Sequence, residues 1–247
     1  MNRRVLHLAV VLLSLVIIIG SPVSQTIAAA PAAQEKIMKN TTPRRALILI
    51  DVQNEYDGGG LPIEYPPVGQ SLANIGRAMG AAKAVGIPVV VVQNVAPSTS
   101  PIFAEGTHGA ELHQVVRSRG WDHLVQKKLP GSFSGTDLEA WLRKNRVDTL
   151  VVAGYMTHNC DASTVIQAVH AGYAVEFLSD ASGSLPYRNR AGQATAEEMH
   201  RVFMVVMQSR FAAVMNTEEW IGIVNGNGVP VRDNILESNR QARLTGK

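Results

Sequence analysis

Asp51, Lys127 and Cys160 are the residues of this sequence whose types and settings could do chemistry together. Asp51 stands near the end of the apolar run 46–52. Lys127 follows the short run 123–126. Cys160 follows the apolar run 148–155, where a helical pattern begins. A thiolate is a strong nucleophile, but a free thiol titrates at about 8.5 and needs help to ionise at neutral pH. The first turn of a helix gives some help, because its free N–H groups and dipole favour negative charge. A nearby ammonium gives more. A carboxylate within hydrogen-bond reach can take the thiol proton and later pass it to a leaving nitrogen. Backbone amides beside the helix start could bind the oxyanion of a tetrahedral intermediate, worth roughly 3 kcal/mol.

Each residue also has a plain structural reading. An Asp that ends a buried strand can simply cap the next loop, and a loop Lys is usually solvated. The lone Cys of a chain is an inert buried thiol, an intermolecular bridge or a reactive group. What favours chemistry is joint placement: each of the three closes an apolar run and so can fall on one rim.

The elements needed to build that rim are legible. The run 46–52 is short, apolar and rich in branched residues, the signature of a buried parallel strand, and 87–95, 123–126, 148–155 and 173–181 read as the strands that follow it. Helical spacing falls between them at 71–85 and 159–172. Capping boxes at Thr136/Glu139 and Thr195/Glu198 predict helices to about Arg146 and Ser209. FAAVM (211–215) reads as a last strand, TEEWIGIV (217–224) as a short helix, and 226–247 as a loose polar tail. Alternating strands and helices predict a single α/β domain over 44–225, a three-layer α/β/α open sheet of mostly parallel strands. In such sheets ligands bind beyond the carboxyl ends of the strands.

The first residues do not belong to that domain. A basic start (Arg3, Arg4), an apolar run over 5–19 and small residues after it read as a secretory signal peptide over 1–30, cleaved between Ala28 and Ala33. Residues 31–43 read as a flexible lead-in. The chain is therefore expected to be exported, to the periplasm or beyond, with no membrane association after cleavage. The net charge of +3 is small and partly terminal, and no Lys/Arg stripe with interleaved aromatics occurs, so nucleic-acid binding has no electrostatic footprint.

The order Asp51, then K-x-x-x-x-x-F-x-G-T-x-L (127–138), then G-x-x-T-x-x-C (154–160) resembles the isochorismatase-like cysteine hydrolases. That group includes nicotinamidases, N-carbamoyl amide hydrolases, ureidoacrylate hydrolases and isochorismatases. The resemblance runs over about 46–223, with IDVQNEY (50–56) and LSDASGS (178–184) adding to it. It implies an isochorismatase-like, Rossmann-like strand order and a small-molecule substrate. It implies no cofactor beyond the metal that nicotinamidases hold, and a homo-oligomer. By position it makes Asp51 the general base, Cys160 the nucleophile and Lys127 the third member, with Lys128 as fallback. It implies a cis peptide at Tyr155–Met156 and an oxyanion hole from the Met156 and Cys160 N–H groups. Asn54, Tyr56, Phe133 and His158 are expected to flank the substrate. His170, His200 and the three Trp residues read as surface, packing or contact residues.

Two departures stand out. Asp161, directly after the Cys, is where the family often carries a small or aliphatic residue; unless it turns away to cap the helix, its charge should oppose thiolate formation. And no His occurs between 57 and 96, which removes the Asp/His metal cluster of nicotinamidases. The leading expectation is hydrolysis of an amide-like C–N bond through a Cys160 thioester. Enol-ether hydrolysis with Asp51 as acid, and a non-catalytic binding protein on the same fold, are the alternatives.

Overall fold

A computed structural model describes residues 42–245; the expected signal peptide, and the expected lead-in up to residue 41, lie outside the described residues. Six parallel strands form one sheet: β1 (Arg45–Ile50), β2 (Val89–Asn94), β3 (His123–Lys127), β4 (Thr149–Tyr155), β5 (Ala174–Gly183) and, after a two-strand hairpin of β6 (Tyr187–Asn189) and β7 (Gly192–Ala194), β8 (Ala213–Met215). The order across the sheet is β3-β2-β1-β4-β5-β8. The chain builds outward from β1 to β3, then returns to β4 on the other flank of β1. The connections after β1 and β4 therefore diverge, and their carboxyl ends define a switch-point crevice.

Strand alternation divides the core in two. Leu47, Leu49, Val91 and Val151 face α1 (Val68–Ala84), through Leu72, Ile75 and Met79, and α6 (Thr217–Val224), through Trp220. Ile48, Ile50, Val90 and Val152 face α3 (Leu138–Lys144) and α4 (Ala162–His170) through Leu138, Leu142 and Val165. Because β1 is apolar on both faces, burial on both sides is the only arrangement that removes its side chains from water, at about 25 cal/mol per Å². The short α2 (Gln114–Arg117), α5 (Ala196–Val206) and α7 (Ile235–Thr245) complete the helices.

Several expectations change. The Thr195/Glu198 capping box forms, but the Thr136/Glu139 box does not: Thr136 Oγ1 donates to the Ser132 carbonyl at 2.6 Å to close its own loop, and α3 starts at Leu138. The helix expected from 159 opens instead with one wide π turn, Thr157–Asp161. The polar tail is not loose throughout. It carries α7, which is held locally: Glu237 N donates to Asn234 Oδ1 at 2.9 Å, and Arg240 and Gln241 bond the Glu237 carboxylate.

Candidate active site

β1, β3 and β4 deliver the three candidate residues to one rim. Asp51 directly follows β1 and adopts a left-handed backbone (φ 50°), its N–H bonded to the Val92 carbonyl at 2.9 Å. Lys127 ends β3 opposite Asn94 of β2. Neighbouring strands are about 4.8 Å apart, so β3 lies some two spacings from β1, a gap the long lysine stem spans over β2. Cys160 sits in the π turn after β4. Its carbonyl accepts from Thr164 Oγ1 at 2.7 Å, and Thr164 in turn bonds the Ser132 hydroxyl at 2.8 Å. The chain enters that turn through a cis Tyr155–Met156 peptide.

The side chains meet. Lys127 Nζ lies 2.7 Å from Asp51 Oδ2 and 3.3 Å from Cys160 Sγ. Asp51 is fully buried, and Lys127 and Cys160 are 1% and 5% exposed. Lys128 is exposed, so Lys127 is the lysine the structure sets against Asp51. Burial raises the Asp51 carboxyl above its ordinary value, with the Lys127 ammonium pulling the other way. Burial works to lower Lys127, but its interactions with Asp51 and, after it, Cys160 outweigh this and hold the ammonium above the ordinary lysine value. Burial, then the Asp51 carboxylate, pushes the Cys160 thiol up, opposed by Lys127. The electrostatics therefore describe a protonated thiol beside a carboxyl group that burial has made more basic, which suits a base acting during attack rather than a preformed thiolate.

Asp161 resolves differently from either sequence reading. Its side chain caps no helix amide. It is fully buried, and neither carboxyl oxygen makes a hydrogen bond of good geometry, although the Ser182 hydroxyl of β5 faces it. Burial, reinforced by Asp51, pushes it well above its ordinary value, which favours the neutral acid and lowers the charge it sets against the sulfur.

A cavity of about 590 Å³ opens over the sulfur, lined by Tyr56, Met156, Asn159, Cys160 and Lys127, with loop residues that include Leu61, Ile102, Phe103, Leu129 and Pro130. Of the four residues expected to meet substrate, Tyr56 lines it, its ring 5.3 Å from those of Phe103 and Tyr155. Asn54, Phe133 and His158 lie outside the lining. Asn54 Nδ2 donates to the His108 carbonyl at 3.0 Å. Phe133 packs toward Tyr173, because Gln167 of α4 binds the Phe133 N–H and the Ser134 hydroxyl and draws that loop onto the helix. His158 sits 3.1 Å from the Ser184 hydroxyl and edge-on to Tyr187, and burial lowers it to about 4. His200 is buried rather than superficial, its Nδ1 2.9 Å from the Thr157 hydroxyl.

Glu55 is the residue the sequence reading missed. Its carboxylate accepts from Gly60 N at 2.5 Å and Phe103 N at 3.2 Å, tying together the two loops that carry Leu61 and Ile102 into the cavity wall. A second cleft, of about 650 Å³ between the end of α1 and the start of β2, contains none of the three candidate residues. Among the described residues no cluster of three or more His, Cys, Asp or Glu is placed to hold a metal ion.

Residues 45–219 match the isochorismatase domain. A crystal structure of an isochorismatase-like protein from Burkholderia xenovorans LB400 superimposes with a TM-score of 0.82 at 64% identity, covering 83% of this chain and 99% of that one. The isochorismatase family protein YddQ of Bacillus subtilis is 31% identical over 178 residues, 71% of this chain and 98% of its own. A secreted isochorismatase effector of Verticillium dahliae is 33% identical over 143 residues, 58% and 74% of the two chains. A ureidoacrylate amidohydrolase of Methylobacterium radiotolerans is 29% identical over 222 residues, 75% and 80%. The chain belongs to the isochorismatase family and is a hydrolase of that family.

Proposed function

We propose that the protein hydrolyses a small-molecule amide-like C–N bond through a thioester on Cys160. The carrying observation is the contact of Lys127 Nζ with both Asp51 and Cys160 at the floor of the cavity. Asp51 takes the thiol proton as the sulfur attacks the carbonyl carbon. The Met156 and Cys160 N–H groups hold the resulting oxyanion, and Lys127 keeps Asp51 ionised and oriented. As the intermediate collapses, the C–N bond breaks and Asp51 returns its proton to the departing nitrogen. Water then attacks the thioester and gives a proton to Asp51. The C–S bond breaks, the proton passes to the sulfur, and the acid leaves.

An amide and ureide panel scored by ammonia release tests this reading. Turnover that disappears in Cys160→Ala supports it; turnover retained in that variant points instead to acid catalysis by Asp51.

The reading extends to export, supported by the basic, apolar and small-residue succession in the first thirty residues and by the secreted fungal relative. No helix among the described residues is long and apolar enough to cross a membrane. Self-association is supported by the exposed Val202, Val205 and Val206 of α5 and is read by light scattering.

A further inference from the structure

We infer that the group carried on the acyl side of the substrate is uncharged and apolar, so that the protein prefers neutral amides to amides that also bear a carboxylate. The inference rests on the amide-hydrolase reading above and adds the chemical class that the same cavity accepts.

The wall beyond the sulfur is mainly hydrocarbon and ring. Tyr56 and Phe103 pack against each other, and Leu61, Ile102, Leu129 and Pro130 come from the loops around them. Such a wall gains free energy by covering apolar surface, and its uncharged polar members, Asn94, Ser100 and Asn159, set no charge against an anion.

The charges decide the matter. Three lining residues carry full charges: Lys127, Lys128 and Glu105. Lys127 is the buried cation, and it is already engaged by Asp51 at 2.7 Å and Cys160 at 3.3 Å. Asp51 already balances its charge, so a substrate carboxylate reaching the remaining N–H would meet a neutral pair and the like charge of the base. Lys128 and Glu105 are both exposed and opposite in sign, so together they present no net charge. An exposed ammonium in water attracts an anion only weakly, and no arginine lines the cavity to form a bidentate clamp. An anionic acyl group would therefore lose its water without gaining a dedicated partner.

The test uses the full-length protein and size-matched primary amides at fixed ionic strength. Pentanamide, hexanamide and 3-phenylpropanamide are compared with succinamate and glutaramate by initial ammonia release. The expected result is a kcat/KM at least 100-fold higher for the neutral set. Leu129→Arg, at an exposed wall position that accommodates a long side chain, should narrow that preference at least tenfold by supplying the missing cation. Equal or better turnover of the anionic amides by the unaltered protein overturns the inference and leaves the hydrolase reading standing. Turnover of neither set, with no acyl group found on Cys160, overturns both.

Discussion

Gly154 of β4 packs against the backbone of Ile50 of β1 so closely that a Cβ at 154 would stand 2.0 Å from the Ile50 carbonyl oxygen. This contact sets the distance between the two strand ends that carry Asp51 and the Cys160 turn, at the place where the β4–β5 register also shifts. Gly154 has φ +125°, a conformation that costs other residues about 1–3 kcal/mol before any clash is counted. Gly154→Ala should lower the thermal midpoint by several degrees and reduce turnover at least tenfold, because β1 must move away. A variant with unchanged melting and kinetics would show that the strand ends tolerate separation.

Glu55 should act on substrate binding more than on chemistry. It fastens the loops that carry Leu61 and Ile102 into the cavity wall, yet it is absent from the lining itself. A hydrogen bond to a charged group contributes about 1.5–3 kcal/mol. Glu55→Gln retains one acceptor oxygen and should raise KM about tenfold while kcat changes less than threefold. Steady-state kinetics separates the two; a fall confined to kcat would mean that Glu55 bears on the reacting atoms.

Asp161 supplies a pH signature of stability. Its folded-state carboxyl is raised above the unfolded value of about 4, so the native chain keeps a proton that the unfolded chain releases. That stabilisation is complete below the unfolded value and is lost as pH rises toward the folded one. Asp161→Asn has no such proton. Its stability relative to the parent should therefore grow with pH above about 4, by up to about 1.4 kcal/mol per unit until the parent's carboxyl ionises. Urea unfolding of both proteins at pH 5 and pH 8 measures the difference, and parallel curves would mean that Asp161 is already ionised in the fold. Turnover at neutral pH should persist in Asp161→Asn, since the amide copies a neutral acid.

The legibility of the fold follows from what each element depends on. β1, the first part of β2, and β4 are buried on both faces, so continuous apolar runs marked them directly, whereas β5 was marked by a run that Glu176, Ser179 and Asp180 interrupt. The β6–β7 hairpin is mostly exposed and polar, with no apolar alternation to betray it. The π turn around Cys160 is set by the Met156 carbonyl, which accepts from the Asn159 and Asp161 amides, and by the Thr164 bond to the Cys160 carbonyl; helical periodicity does not encode either. α7 had a local signal in Asn234 and Glu237, but it lacks the apolar stripe by which helices are usually recognised.

The meeting of Asp51, Lys127 and Cys160 was legible because each closes a strand or opens the turn after one, and parallel strands share a rim. The cavity wall was less so. Phe133 keeps the family's spacing but turns toward Tyr173, since Gln167 captures its loop. Glu55 gave no signal because its partners are backbone amides, which carry no side-chain identity.

The most direct measurement is rapid acid quench of the protein during turnover of a neutral amide, followed by mass analysis of the peptide containing Cys160. A transient mass increase equal to the acyl group, located on Cys160, absent in Cys160→Ala and slowed at least 100-fold in Asp51→Asn, is the predicted result. Full turnover with no acyl group on Cys160 at any time, or by the Cys160→Ala variant, would contradict it.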